Sequence, residues 1–201
     1  MREAIKGVLH GLAIVAVTPS VISWWLRARI MGPDRALEGS TQAWALVPGL
    51  IGQYLRRAFL SCALPSCART ATIEFGTIFS SASATIGDRA YIGPRCHLGW
   101  ALIDDNALLA AGVHVPSGAN THGIDDLSTP IRDQPTRKTP VRIGNGSWIG
   151  SAAVVMAAVG RDAVIAAGAV VTRPIPDMAI AGGVPARVLR HRDPRMEVRS
   201  A

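Results

Sequence analysis

A six-residue period governs most of this 201-residue chain from about residue 73 onward. Six residues make one short strand and a corner, and three such sides close a triangular coil that can stack on the next coil. A globular sandwich would not hold this phase through so many units, so the repeat predicts a parallel β-helix. One aliphatic or Phe residue of each unit is expected to point inward: Ile73, Phe79, Ile86, Ile92, Leu98, Ile103, Leu109, Val115, Ile143, Ile149, Val155, Val159, Ile165 and Val171.

Small residues occupy a second position of the repeat, four residues after most of the aliphatic ones. They are expected to point inward where the prism is too narrow for larger side chains. Gly often follows the aliphatic residue directly, as in Ile86-Gly87 and Ile149-Gly150, and is expected to give the corners backbone freedom. The small inward residues are predicted to be Thr77, Ser83, Ala90, Cys96, Ala107, Val113, Ser147, Ala153, Ala163 and Ala169.

One long interruption separates Val115 from Ile143, which are 28 positions apart. The residues from Ser117 to Pro140 must therefore leave the prism as a loop and return. This loop is polar and rich in Gly, Asn, Asp and Pro, which are typical of turns. A long loop expelled from a rigid solenoid is usually functional or disordered.

The leader that precedes the repeat is apolar and helical in pattern. Residues 7–26 carry no formal charge, which is about the length that a membrane span needs. Thr18-Pro19-Ser20 interrupts this run like an N-cap followed by Pro in a first turn, so two helices are predicted, at about 3–17 and 19–31. A third helix is predicted over about 40–64.

Two interpretations of the leader remain open. In the first, residues 1–60 form a membrane-surface hairpin, with Trp24 and Trp25 at the headgroup level and Arg27 and Arg29 facing phosphates. In the second, the helices cap the open end of the β-helix and pack on their copies in an oligomer. The membrane interpretation is favoured, because so much apolar surface on a short chain needs cover.

The formal net charge of +7 is carried almost entirely by Arg. A basic balance suits nucleic acid, an anionic membrane surface or a phosphate-rich cofactor. The chain has no RNA-binding signature, zinc-finger spacing or basic helix, so nucleic acid is not expected as a partner. Its three cysteines form no disulfide framework and are expected to be reduced thiols in the cytoplasm.

Three motifs carry a resemblance to a known family. They are Ser117-Gly118-Ala119-Asn120-Thr121-His122-Gly123, Ser147-Trp148-Ile149-Gly150, and Ala181-Gly182-Gly183-Val184-Pro185-Ala186-Arg187-Val188-Leu189-Arg190. With these motifs, residues 73–190 resemble the hexapeptide-repeat acyltransferases, which include maltose and galactoside acetyltransferases and exopolysaccharide O-acetyltransferases. The resemblance implies an all-β solenoid, specifically a left-handed parallel β-helix with an N-terminal α-helical extension. It also implies a homotrimer with active sites between subunits, and a place in polysaccharide biosynthesis.

The chain is accordingly predicted to comprise three parts. Residues 1–68 form the helical extension, which is the part that could contact a membrane. Residues 69–186 form the β-helix acyltransferase domain, from which the loop 117–140 is ejected. Residues 187–201 form a basic carboxyl-terminal tail.

Transfer of an acyl group from a thioester to an alcohol needs a base for the hydroxyl proton. Imidazole titrates near neutral pH and suits this role. His122 lies in the ejected loop and matches the catalytic histidine position of the family, so it is expected to be the general base. Many relatives carry two histidines in this loop, whereas this chain has Asn120 at the first position. Asp125 or Asp126 could orient His122, and His114 could line the substrate cleft.

The resemblance also implies a binding site for acetyl-CoA as acyl donor. Two residues would lie near the reactive end of pantetheine, one small residue would leave room for the arm, and the remaining four would meet amides or phosphates. Guanidinium groups suit phosphate because of their forked geometry. No metal is expected. The two residues near the reactive end are Trp148 and Ser151, and the small residue is Ala167. The four that would meet amides or phosphates are Thr172, Arg173, Arg187 and Arg190.

The expected function is that of an acetyl-CoA-dependent O-acetyltransferase acting on a saccharide or glycolipid hydroxyl. Its expected location is the cytoplasm, either free or peripheral on the inner face of the cytoplasmic membrane. N-transfer to an amino sugar stays open, because the same base can serve an amine. A γ-type carbonic anhydrase is less favoured, since the chain lacks the tight H-x4-H pair that its zinc site uses. A purely structural β-helix would not explain a loop that presents His122.

Overall fold

The computed structural model describes residues 2–193, so residues 194–201 of the predicted basic tail lie outside the described residues. Three helices come first: α1 (Arg2–Met31), α2 (Pro33–Ala45) and α3 (Gly49–Ala63). Short strands follow: β1 (Ser66–Cys67), β2 (Thr72–Ile73), β3 (Ile78–Phe79), β4 (Thr85–Ile86), β5 (Tyr91–Ile92), β6 (His97–Leu98), β7 (Ala101–Ile103), β8 (Leu108–Leu109), β9 (His114–Val115), β10 (Val141–Ile143), β11 (Trp148–Ile149), β12 (Val154–Val155), β13 (Val164–Ile165), β14 (Val170–Val171), β15 (Ala179–Gly183) and β16 (Ala186–His191).

The strands form a three-sided solenoid of about six coils. Face A holds β1, β4, β7 and β10; face B holds β2, β5, β8, β11, β13, β15 and β16; face C holds β3, β6, β9, β12 and β14. Neighbouring strands of a face are parallel and pair residue for residue, except that β15 and β16 form an antiparallel hairpin at the end. The chain visits faces A, B and C in that order. We therefore name the corners that follow faces B and C the B–C edge and the C–A edge.

The interior of the solenoid confirms the predicted aliphatic stack. Every aliphatic or Phe residue predicted to point inward is at most 2% exposed. One small residue was wrongly placed, because Ser83 is exposed and Ala84 is buried in its stead. The inward small residue lies two positions before the next aliphatic one. Ile86 lies seven positions after Phe79 and not six, so counting four forward from Phe79 stops one residue short of Ala84.

The glycines after the aliphatic residues have a different role from the one predicted. Gly87, Gly93, Gly144 and Gly150 do not have positive φ angles. A Cβ added at Gly150 would instead collide with the backbone nitrogen of Ala167 in the next coil. A Cβ added at any of the other three would lie 2.6 or 2.7 Å from a backbone atom of the next coil. Glycine is therefore required here because the coils approach too closely for a side chain.

The leader also differs from the prediction, because α1 is one continuous helix through Pro19. Proline removes one backbone donor, and the hydroxyl of Thr18 donates to the Ile14 carbonyl at 2.9 Å beside it. Pro19 lies on the exposed side of the helix, where its ring meets no packed neighbour. The inward side packs on α2 and α3 along its length, which holds the helix together across the proline.

The predicted third helix is two helices. Gly32, with φ of 86°, separates α1 from α2, and the chain breaks again at Leu46–Pro48 before α3 begins. These two helices cap the open end of the solenoid. The Thr41 hydroxyl accepts a hydrogen bond from the Phe79 amide at 3.1 Å and donates one to the Phe79 carbonyl at 3.2 Å. The Gly76 amide donates to the Ala45 carbonyl at 3.0 Å.

Arg56 fastens this cap from inside. Its side chain is 2% exposed and donates to the carbonyl oxygens of Ile73, Trp44 and Val47 at 2.9, 3.2 and 2.7 Å. The guanidinium therefore joins the end of α2 and the following turn to the first coil. Burial lowers the Arg56 pKa from its usual value.

Candidate active site

The ejected loop is an ordered two-stranded arm. Its outgoing and returning segments are joined by backbone hydrogen bonds from Thr139 to Ser117, from Arg137 to Thr121 and from Gly123 to Pro135, at 2.9, 3.2 and 3.0 Å. His122 and Thr136 form an isolated antiparallel bridge within this arm. The arm leaves the solenoid after β9 and returns at β10, so it emerges from the C–A edge.

The tip of the arm is closed by Asp126 and Gln134. The Asp126 carboxylate accepts hydrogen bonds from the hydroxyls of Ser128 and Thr129 at 2.6 Å each and from the Ser128 amide at 2.9 Å. These donors lower the Asp126 pKa to about 2. The buried Gln134 amide donates to the carbonyl oxygens of Asp126 and Thr129 at 2.7 and 2.9 Å.

His122 is exposed on this arm, and its imidazole makes no hydrogen bond within residues 2–193. Asp126, one of the two residues expected to orient it, is fully engaged by Ser128 and Thr129 and does not do so. Side chains alternate in extended backbone, and Thr121 lines a cleft of its own chain. His122 is therefore directed to the opposite side of the arm, away from that cleft.

The cleft, which we call the face C cleft, lies between the arm and face C and encloses about 400 Å³. His97 and His114 pair in register on adjacent coils, with ring centroids 6.1 Å apart in an edge-to-face arrangement. Hydroxyl groups, imidazoles and one ammonium face the cleft, and its lining includes no carboxylate from the described part of the chain. Its lining is Ser80, His97, Gly99, His114, Val115, Pro116, Ser117, Thr121, Lys138 and Val154.

Asp34 ties three parts of the molecule together beside this cleft. It stands in the first turn of α2. One carboxylate oxygen accepts the backbone amide of Ala82, in the coil, at 2.9 Å. The other pairs with the Lys138 ammonium, on the returning segment of the arm, at 2.6 Å. We call this contact the Asp34 junction.

The seven residues proposed for CoA are all exposed, but they lie on different sides of the solenoid. Ser151 and Ala167 occupy adjacent coils at the B–C edge, where Gly150 closely approaches Ala167. Thr172 and Arg173 follow β14 and lie at the C–A edge. This is the edge that bears the arm, about 10 Å further along the axis at the usual strand spacing.

Face B carries the remaining three members of the proposed CoA set. Trp148 is 51% exposed and pairs in register with Val164, which pairs with Ile180. Both arginines are on β16, where Arg190 lies opposite Ile180 of β15 and Arg187 lies opposite Gly182 of β15. One side of the triangle thus separates Ser151 and Ala167 from Thr172 and Arg173, so a single chain does not assemble the whole set.

Comparison with sequence families gives a match to the family model described as the hexapeptide repeat of succinyl-transferase, over residues 140–173. A protein of Mycobacterium tuberculosis named as an acetyltransferase is 43% identical over 82 residues, which are 40% of this chain and 27% of that protein. Galactoside O-acetyltransferase of Escherichia coli is 49% identical over 53 residues, 25% of this chain and 26% of that protein. The matched segments span about a quarter of the length of these two relatives.

Solved structures match over more of the chain. A maltose O-acetyltransferase from Clostridium difficile 630 has a TM-score of 0.68 at 21% identity and covers 83% of this chain and 91% of its own. A galactoside acetyltransferase in complex with coenzyme A has a TM-score of 0.63 at 24% identity, over 82% of this chain and 83% of its own. This likeness confirms the fold predicted above, the left-handed parallel β-helix.

Residues 140–173 thus carry the hexapeptide repeat of the matched family model, within a fold similar to those two structures. In this hexapeptide-repeat protein, the sequence predicted an ejected loop that carries His122 but not the partners that hold this arm. Lys138 and Asp34 are 104 positions apart, and no repeat or motif connects them. The sequence did offer a signal for His97, because it stands at the outward position of its strand, one coil before His114.

Proposed function

We propose that this hexapeptide-repeat protein is an acyl-CoA-dependent O-acetyltransferase, which transfers an acetyl group from acetyl-CoA to a hydroxyl of a saccharide, glycolipid or similar acceptor. One observation carries the proposal: an ordered arm holds an exposed imidazole clear of its own chain, on the edge that also bears Thr172 and Arg173. The acetyltransferase names of the relatives and the coenzyme A of one similar structure support the same chemistry.

In the proposed reaction, His122 is the general base. Its neutral imidazole takes the proton of the acceptor hydroxyl as the oxygen attacks the thioester carbonyl carbon. The tetrahedral intermediate collapses with cleavage of the carbon–sulfur bond, which leaves the acetyl ester and CoA thiolate. The proton held by the imidazolium then passes to the thiolate, so CoA leaves as the thiol and the base is regenerated.

The donor site is proposed to form between two chains. One chain would contribute Ser151 and Ala167 at its B–C edge, where small side chains leave room for the pantetheine arm. The neighbour would contribute His122, Thr172 and Arg173 from its C–A edge. Two chains side by side would bring these edges together, and a closed homotrimer would repeat the arrangement three times.

The other members of the proposed CoA site lie on face B. The Trp148 ring would pack beside the pantetheine arm near its reactive end. The exposed guanidinium groups of Arg187 and Arg190 suit the phosphates of CoA, because they present forked donors with no carboxylate partner among the contacts of residues 2–193.

The face C cleft is proposed to hold the acceptor. Its hydroxyls on Ser80 and Thr121 and its imidazoles on His97 and His114 can both donate and accept hydrogen bonds, which suits a polyhydroxylated molecule. In an oligomer the base of the neighbouring chain would then face the acceptor bound in this cleft. His114 would have the lining role that the sequence suggested for it.

Replacement of the base tests the function directly. His122→Ala should lower the rate of acetyl transfer by about 10²–10⁴-fold, the usual contribution of a general base. Its affinity for CoA and its thermal unfolding midpoint should stay close to those of the unaltered protein, because His122 is exposed on the arm, outside the stacked core. Thiol release with a confirmed acceptor, calorimetric titration of CoA and circular dichroism measure the three quantities.

Arg132→Ala is the matched control, since Arg132 is an exposed, charged residue of the same arm. It should transfer at nearly the unaltered rate. Near-native turnover of His122→Ala would contradict the assignment and would point to His114 or His97 as the base. A panel of hydroxyl and amine acceptors distinguishes O-transfer from N-transfer to an amino sugar, which uses the same base.

A further inference from the structure

We propose that the outward face of α1 docks on an anionic lipid surface, with the helix lying in the plane of the interface. This face is defined by six aliphatic side chains that are between 53% and 84% exposed. No charged residue occurs between residues 7 and 26. The six residues are Val8, Leu12, Val15, Ile22, Leu26 and Ile30.

The inward face of the same helix is already occupied. Ala13, Val17 and Trp24 follow one another at spacings of four and seven and pack into the core against α2 and α3. A helix that is apolar all round needs a second apolar environment for the side that its own protein leaves uncovered. The outward face therefore lacks a partner within residues 2–193.

The helix lies along a surface more readily than it crosses a bilayer. By length and composition alone, Gly7–Met31 could span a membrane. Its inward side, however, is held by α2, whose Glu38 and Asp34 would have to enter the hydrocarbon with it. An interfacial position immerses only the outward face and leaves those polar groups in water.

The charges around the face suit an anionic surface. The Arg29 guanidinium stacks over the Trp25 ring at 4.0 Å from its centroid, and Trp25 is 48% exposed. Arg35 is also exposed, whereas Arg27 turns inward and donates to Ser40 at 2.7 Å. Residues 1–68 contain seven Lys or Arg against three Asp or Glu, a net +4.

A lipid surface matches this combination better than a second copy of the chain does. Two copies meeting through α1 would cover the aliphatic face but would bring their positive leaders together. An anionic bilayer covers the aliphatic face and also attracts the excess charge, and Trp25 with Arg29 suits the headgroup region. The observations therefore favour lipid as the occupant.

Cosedimentation of the full chain with vesicles tests the proposal. Phosphatidylcholine vesicles with and without phosphatidylglycerol are the probes. The unaltered protein should bind the anionic vesicles, and less so as salt is added. Val15→Glu with Ile22→Glu should reduce the partition coefficient at least about tenfold. Ile124→Glu with Leu127→Glu is the matched control, because it makes the same changes at exposed apolar residues of the arm tip, and should bind normally.

Three outcomes would overturn the proposal. They are failure of the unaltered protein to bind anionic vesicles, an equal loss of binding in the matched control, and a lower oligomeric mass of the Val15→Glu, Ile22→Glu variant in lipid-free light scattering. The last would identify a contact between copies. Turnover of the Val15→Glu, Ile22→Glu variant with a soluble acceptor should equal that of the unaltered protein, so docking can fail while the proposed acetyl transfer stands.

Discussion

Asp126 and His122 are neighbours on the arm with opposite surroundings. Three donors converge on the Asp126 carboxylate, whereas the His122 imidazole meets none among residues 2–193. Sequence alone could suggest that an aspartate near a histidine orients it. It could not show that Ser128 and Thr129, two and three positions further on, satisfy the carboxylate first, as such short-range turns commonly do.

The order of the arm tip should depend on pH through Asp126. The folded-state pKa of Asp126 is about 2, below the ordinary value for Asp. The stability that its ionised carboxylate contributes to the arm tip is therefore fully present above about pH 4. It should be lost as the pH falls from about 4 to 2. Hydrogen exchange of residues 124–134, corrected for intrinsic rates, should show this loss. Asp126→Asn should lack the pH-dependent step, while residues 141–155 of the solenoid serve as internal reference. An unchanged step in Asp126→Asn would assign it to another group.

Helices and coils meet through contacts that no periodicity reveals. The six-residue phase predicted the strands and their inward residues, because each coil repeats the same packing problem. The leader has no repeat, and there Thr18-Pro19 suggested a helix boundary that packing on α2 and α3 overrides. Trp24 and Trp25 are adjacent in sequence, yet the first packs inward and the second outward. Only the helix register relative to its neighbours decides between them.

Arg56 should be essential to the joint between the helices and the solenoid. Arg56→Met should destabilise the protein by about 2–4 kcal/mol, because three carbonyl groups lose a charged donor and buried ones cannot regain water. Arg56→Lys should recover only part of this, since an ammonium cannot span the same fork. Thermal unfolding at one fixed protein concentration measures the loss. Arg69→Met, at an exposed position just after β1, should stay within about 0.5 kcal/mol, and an equal loss there would contradict the role of Arg56.

At the scale of the whole molecule, the chain carries the two halves of its proposed donor site on different edges. The family resemblance indicated all seven CoA residues, but a linear sequence does not state which of them face each other. The order of faces A, B and C separates Ser151 and Ala167 from Thr172 and Arg173. The proposed assembly of three chains is what would reunite them.

Mixed oligomers test whether sites lie between chains. His122→Ala removes the base, and Ala167→Trp should block the pantetheine groove, so each variant alone should be inactive. Co-refolded in equal amounts, they should regain about a quarter of the unaltered activity, because one interface in four then has both native groups. Sites within single chains would give no recovery. Light scattering in mild detergent should report three chains in either homogeneous or mixed samples.

The Asp34 junction bears on how far the parts of this protein can be exchanged. A carboxylate from the leader is fixed to the Ala82 amide at one oxygen and to the Lys138 ammonium at the other. The stem of the arm is therefore anchored by a residue that precedes the whole solenoid. A chain trimmed to the coils, or fitted with a foreign leader, would keep His122 but lose the anchor that positions its arm. Chimaeras made from this protein should accordingly transfer the leader and the arm as a pair.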